Sequence, residues 1–299
     1  MPPVAQLGSN GESGDVALTA DGEVWTIGWA DGTAAALGLS GIVQLTDNED
    51  TGAPDPWYGL RSDGTIVQGT GDAAHPFNEI TLPYTDITQI AASRGLWALR
   101  SDGTVWSIRI DFQDPDSDTA EATSEGADPM VPSKVRAVPV QGVTDATHLW
   151  NGHHRDFPIV QTSDGRLFSL DPNGDSTDAA PIATRIAAPT ATLVDLQDPG
   201  GTWVGLDDTG QLWFWPAGIT DDALDPGAPE PLVGPTPVDG RIAIGMDLVF
   251  GADRTMWQLA SDSGPVSVQN VTDSIGAQLP LPGSGQVLFY GQSVVITTP

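Results

Sequence analysis

"ALRSDGTVWSIR", residues 98–109, sets an Asp-Gly pair between two apolar runs. Six further twelve-residue segments align with it without gaps, starting at Ala17, Gly59, Val160, Gly205, Val249 and Val287. The eighth position is aliphatic in every copy: Val24, Ile66, Val105, Leu167, Leu212, Met256 and Val294. The ninth is Trp25, Val67, Trp106, Phe168, Trp213, Trp257 or Val295, always large or β-branched. A unit that recurs at this spacing marks a repeat architecture.

Each copy reads as strand, two-residue turn, strand, because Asp-Gly supplies the positive φ angles of a tight hairpin. Asp21-Gly22, Asp63-Gly64, Asp102-Gly103 and Asp164-Gly165 fit directly, and the later copies lose the pair. Upstream of every hairpin stands another short apolar segment: VAQL, IVQL, ITQI, ATHL, LVDL, RIAI and GAQL, ending at residues 7, 45, 90, 149, 196, 244 and 279. Downstream of most stands a fourth, such as EITL before Pro83, KVRAV before Pro139, TRI before Ala187 and PVSV before Gln269. Four short strands recurring about every 45 residues predict an all-β, seven-bladed β-propeller of four-stranded blades, one domain over residues 1–299. The last blade, ending in SVVITTP, is expected to be incomplete.

"ITQIAASRGLWALRSDGTVWSI", residues 87–108, resembles one repeat of the regulator of chromosome condensation family, and "WTIGWADGTAAALG", Trp25 to Gly38, is similar to that family's continuation. The resemblance spans the chain and is strongest in the first three units. It implies a seven-bladed propeller. Gly14 and Gly95 stand where the family carries a buried His, and later units lose Asp-Gly. The founding member's nucleotide exchange, performed with chromatin and a small GTPase, is not carried over to a chain this acidic.

Forty acidic residues face eleven basic ones, a net charge of −29, with Lys134 the single lysine. Such a surface repels phosphate, so nucleic acid and anionic membrane are excluded as expected partners. The Asp-rich, Lys-poor balance is that of proteins from salt-loving organisms, in which solvent cations screen self-repulsion; a GC-rich genome gives the same composition. Under the first reading, unfolding free energy rises from low to molar salt, and a salt-independent unfolding curve sinks it. The absence of cysteine removes disulfides and thiol chemistry. MPPVAQLGSNGES has neither the basic nor the apolar part of a signal peptide, and no stretch has the apolar length of a membrane span. The expectation is a soluble chain, cytoplasmic or in a virion.

The candidate sites are few. Gln6, Gln44, Gln89, His148, Asp195 and Gln278 occupy one position of successive innermost strands and would ring a hydrated channel. Ser293, Val294, Val295, Ile296, Thr297 and Thr298 would form an open edge to which a partner chain adds a strand. Within the acidic insertion 111–130, Asp114, Asp116, Asp118 and Glu125 fall at positions 1, 3, 5 and 12 of a calcium loop, but Thr119 stands where the sharp turn wants Gly. His75, His148, His153 and His154 are the histidines; the adjacent pair would point to opposite faces of a strand. Pro56–Tyr58, Leu149-Trp150 and Trp213–Pro216 suggest exposed aromatics, whereas Trp215 itself reads as core.

No Ser elbow, phosphate loop or paired glycosidase carboxylates are recognisable. The expected function is therefore a non-enzymatic binding module for a protein or surface partner, without cofactor, as a structural or receptor-binding component of a larger assembly such as a virus particle or cell surface. The alternatives are a free soluble adaptor or inhibitor, and a hydrolase or lyase using carboxylates at the channel mouth.

Overall fold

The computed structural model describes residues 4–9, 14–28, 34–47, 57–69, 77–92, 95–113, 131–151, 157–171, 180–197, 203–215, 227–232, 243–245, 248–250, 256–260, 267–270, 286–290 and 293–297. The chain forms two compact units, residues 1–140 and 141–299.

The first unit carries three four-stranded sheets. They comprise β1 (Val4–Ser9), β2 (Gly14–Thr19), β3 (Val24–Gly28) and β4 (Ala34–Ala36); β5 (Ile42–Asp47), β6 (Trp57–Arg61), β7 (Ile66–Gly69) and β8 (Phe77–Ile80); and β9 (Ile87–Ala92), β10 (Leu96–Arg100), β11 (Val105–Gln113) and β12 (Val131–Pro139). The second unit carries three more and a hairpin. These are β13 (Ala146–Trp150), β14 (Ile159–Thr162), β15 (Leu167–Asp171) and β16 (Ile182–Ile186); β17 (Leu193–Gln197), β18 (Val204–Asp207), β19 (Leu212–Phe214) and β20 (Glu230–Pro231); β21 (Ala243–Gly245), β22 (Leu248–Phe250), β23 (Met256–Ala260) and β24 (Ser267–Asn270); and the pair β25 (Gln286–Tyr290) and β26 (Ser293–Thr297). Every four-stranded sheet is an antiparallel meander in chain order, the construction of a propeller blade.

The repeat's register is what makes these sheets equivalent. Position one pairs with position nine in six copies: Ala17 with Trp25, Gly59 with Val67, Ala98 with Trp106, Val160 with Phe168, Gly205 with Trp213 and Val249 with Trp257. The eighth position then lies on the opposite face from the ninth, and Val24, Ile66, Val105, Leu167 and Leu212 are all at most 2% exposed. The seventh copy departs: Val287 pairs with Ile296 and Tyr290 with Ser293, one residue out of step. A one-residue slip exchanges the faces of a strand, so the gap-free alignment does not carry over to β26.

The turns also differ from the expected two-residue form. Gly22, Gly64, Gly103, Gly165 and Gly210 have φ of 84°, 83°, 79°, 81° and 85°, whereas the residues before them, four aspartates and Thr209, are not in the positive-φ region. Each glycine N–H donates to the carbonyl three residues back, and that residue's own N–H donates to the carbonyl four residues on, as in Arg61 N–H to Thr65 O at 2.8 Å. This is a type I turn followed by a glycine bulge, which needs positive φ at one residue rather than two. The Asp side chain braces the turn instead. Asp63 and Asp102 accept from the N–H of Thr65 and Thr104 at 2.9 and 3.0 Å, bridging over the glycine.

Among the described residues the core lies between consecutive sheets within each unit, and the second sheet is apolar on both faces. Trp57 and Val67 pack with Val16, Leu18 and Val24 of the first sheet, while Tyr58, Leu60 and Ile66, on the other face, pack with Ile87, Ile90 and Leu96 of the third. In the second unit Phe157, Ile159 and Leu167 meet Leu193, Trp203 and Trp215. Trp215 is core as expected, its indole N–H donating to Ala187 O at 3.1 Å. Trp57 and Tyr58, expected to be exposed, are 1% and 5% exposed instead: β6 is sandwiched between two sheets, and Gly69 on β7 leaves the space that the Trp57 ring fills.

Candidate functional site

The first strand of each sheet carries the expected polar positions, and a bulge sets their direction. Pairing skips one residue in β1, β5, β9, β13 and β17, at Ala5, Val43, Thr88, Thr147 and Val194. An inserted residue re-aims the side chain that follows it, and here that side chain is Gln6, Gln44, Gln89, His148 or Asp195. The bulge also accounts for Val43 and Val194, which are 56% and 45% exposed on otherwise apolar strands.

What Gln6 and Gln44 do with that direction was not legible beforehand. Gln6 Nε2 donates to Leu45 O at 2.6 Å, and Leu45 N–H donates to Gln6 Oε1 at 2.9 Å. Gln44 Nε2 donates to Ile90 O at 2.8 Å, and Ile90 N–H donates to Gln44 Oε1 at 2.9 Å. The amide is thus a clasp from one sheet to the backbone of the next, its donor and acceptor both engaged. Thr46 adds a second contact along the same seam, accepting from Ala92 N–H at 3.0 Å. In the second unit Gln161, on β14, grips Leu193 in the amide orientation that satisfies both its atoms, at 2.9 and 3.0 Å.

Gln44→Leu is expected to lower unfolding free energy by about 2 kcal/mol, because it leaves the Ile90 N–H and carbonyl without partners in a half-buried seam. Gln44→Glu keeps the acceptor but sets a carboxylate oxygen against the Ile90 carbonyl, so it should not restore the loss. Urea unfolding reads both; a Gln44→Leu protein as stable as the parent removes the clasp as a stabilising device.

His148 and Asp195 break this pattern. His148 Nδ1 lies 3.1 Å from Thr147 Oγ1, and its ring stacks on Trp150 with centroids 5.2 Å apart and planes 9° from parallel. Burial holds the imidazole below its ordinary pKa and favours its neutral form. Leu196 N–H, the counterpart of Leu45 and Ile90 N–H, donates to Asp195 Oδ1 of its own strand at 2.9 Å, and Gln197 Nε2 donates to the same oxygen at 3.1 Å.

Other carboxylates serve local structure, Asp164 and Asp86 among them. An Arg166 hydrogen bond draws Asp164 down to about 2, with Thr162 assisting. Arg100 holds Asp86 low through a two-point contact at 2.8 and 2.9 Å and lies over the rings of Tyr84 and Trp106. Burial pushes the Tyr84 hydroxyl up to about 12.

Of the other expected sites, Ser293–Thr297 forms β26, paired with β25. Thr298, Gln278, the calcium-loop residues Asp114, Asp116, Asp118 and Glu125, and His75, His153 and His154 lie outside the described residues. Gln89 is half-buried at the clasp position of β9. Among the described residues, no group of three His, Asp or Glu side chains could hold a metal, and no helix is long and apolar enough to cross a membrane.

Yeast RCC1 (Prp20), solved bound to Kap60, superposes on this chain with a TM-score of 0.60, covering 98% of this chain and 79% of that one at 13% identity. The fold is a β-propeller. A structure of Prp20p from Saccharomyces cerevisiae, described with its binding to Gsp1p and histones, gives 0.59 over 98% of this chain and 82% of that one at 14% identity. YCF48 bound to D1 peptide gives 0.52 over 99% and 90% at 12% identity. At such identities the likeness is one of fold. No family profile matches the sequence, and no curated protein sequence matches it.

Proposed function

We propose that this chain is a non-enzymatic β-propeller binding module that recognises a protein partner, as a structural or receptor-binding component of a larger assembly. In this reading the six four-stranded sheets and the β25–β26 hairpin belong to seven successive blades. The observation that carries it is the use of the polar side chains. Asp63, Asp102, Asp164 and Asp207 build turns, while Gln6, Gln44 and Gln161 fasten sheets. What such a scaffold offers is rigid loops and edges for recognition. The propellers it resembles include one solved with Kap60 and one with D1 peptide, both protein ligands.

The proposed edge for strand addition is Ser293 to Thr298, of which Ser293–Thr297 is β26. Deleting residues 293–299 should then abolish a complex reconstituted from purified components while leaving the melting transition of the isolated chain in place. A stoichiometric partner from the native source, re-formed from purified proteins, supports the reading. Turnover of a polysaccharide or ester by the purified chain, lost when a carboxylate is replaced, would overturn it in favour of a hydrolase or lyase.

A further inference from the structure

Four of the turns carry Asp-Gly, a dipeptide whose side-chain carboxyl and following backbone nitrogen can close on each other, because glycine has no Cβ to hinder the approach. The folded chain opposes that closure in two ways. The glycine nitrogen is engaged in every case, donating to the carbonyl three residues back at 2.8–3.0 Å. In three of the turns the carboxylate is engaged as well, turned over the glycine toward the residue beyond it. Asp63 accepts from Thr65 N–H, Asp102 from the Thr104 hydroxyl and N–H, and Asp164 from the Arg166 guanidinium. These donors hold all three carboxyls below the usual value and so in the ionised form, which has no hydroxyl to lose in a ring closure.

The first turn lacks the second protection. Glu23 N–H, the counterpart of the Thr65 and Thr104 N–H groups, donates to Thr19 Oγ1 at 3.1 Å instead of to Asp21. Among the described residues Asp21 accepts from the Thr19 hydroxyl alone, whose single proton is shared with the Glu23 carbonyl at 3.0 Å. Asp21 is exposed and Gly22 half-buried, whereas Gly64 and Gly103 are buried; the fourth turn is as open as the first, but there Arg166 grips the carboxylate. We propose that Asp21-Gly22 is a modification site, at which the chain isomerises spontaneously from aspartate to isoaspartate. The Gly22 nitrogen attacks Cγ of the neutral Asp21 carboxyl, and the N–H proton and the carboxyl hydroxyl leave as water, closing a succinimide ring. Water then adds back to one of the two ring carbonyls. Addition at Cγ restores aspartate, while addition at the Asp21 main-chain carbonyl leaves the chain running through Cβ and Cγ and a free α-carboxylate beside it. Ring closure takes the Gly22 N–H from the Thr19 carbonyl, and the lengthened chain displaces the Gly22 carbonyl, which accepts from Ile42 N–H at 3.1 Å where β5 begins.

The test ages the full chain for weeks at neutral pH and physiological temperature, digests it, and quantifies isoaspartate in the peptide from each turn. Methyl transfer from labelled S-adenosylmethionine by a protein isoaspartyl methyltransferase counts the free α-carboxylates, and fragmentation mass spectrometry places them. Asp21 should accumulate isoaspartate about fivefold faster than Asp63, Asp102 or Asp164, the factor carried by one hydrogen bond. In the chain unfolded by concentrated urea the four sites should react at similar rates, since the dipeptide is the same and the turns are gone. Arg166→Gln, a change on an exposed side chain, removes the guanidinium from Asp164 and should bring that site up to the rate of Asp21 in the folded protein. The proposal is overturned by an even spread over the four turns of the folded chain, by no isoaspartate at Asp21, or by a preference for Asp21 that persists in urea. An Asp164 rate unchanged in the Arg166→Gln chain would equally overturn it, because the held carboxylate would then not be the protection.

Discussion

Gly64→Ala is expected to destabilise the chain by about 2–5 kcal/mol, the sum of a strained backbone and an overpacked contact. Gly64 closes the β6–β7 turn with φ of +83°, and a Cβ built there would lie 1.9 Å from the carbonyl oxygen of Thr85. Thr85 belongs to the link that enters the third sheet just before β9, so the obstacle is backbone and has no rotamer to escape into. Either the turn or the link has to move, and the link carries Ile87 into the core cluster shared by the second and third sheets. Gly38→Ala is the control, since φ is +72° there and no heavy atom lies within 4 Å of the new carbon. It should cost about 1 kcal/mol, for the backbone conformation alone. Urea unfolding of the two variants separates the contributions. If Gly64→Ala is no more costly than Gly38→Ala, the close approach of turn and link is wrong.

The blade was legible because its signals are local. The aliphatic eighth position is buried wherever side chains are described, and the apolar segments around it became strands near their expected places. Asp-Gly identified the turns but not their type, because one positive-φ residue and two leave the same sequence trace. The glutamines were recognisable as equivalent, yet their clasping contacts were hidden. A bulge in β1 and β5 aims them at a neighbouring backbone, and a bulge of one residue has no periodic signature. Tyr58 and Trp57 looked exposed because they follow a Pro-rich link, whereas the two faces of β6 are both covered. His148 and Asp195 stood out only as odd residues among glutamines until the intact clasps showed what both forgo.

Asp207 is the residue that the repeat alignment missed outright, and it carries the second large prediction. The fifth turn has Thr209-Gly210 in place of Asp-Gly, which reads as decay of the motif. The carboxylate has instead moved two positions back, to a residue 3% exposed. Asp207 Oδ1 accepts from Thr209 N–H, Gln211 N–H and Thr209 Oγ1–H at 2.9, 2.9 and 2.6 Å, and Oδ2 accepts from the Trp213 indole N–H at 2.8 Å. Burial alone would raise its pKa, but these donors outweigh burial and hold it below the usual carboxylate value. Asp207→Ala strands those donors and should cost about 3 kcal/mol; Asp207→Asn keeps Oδ1 but turns an NH₂ toward the indole N–H, for about half that loss. Because the folded-state value is the lower one, the charge stabilises the fold above the unfolded value of about 4, and that contribution is lost as pH falls through the folded value. The parent should therefore lose its stability advantage over Asp207→Asn below about pH 4, measured by urea unfolding at each pH. An advantage that is unchanged on acidification would mean that the Asp207 charge does not hold the turn.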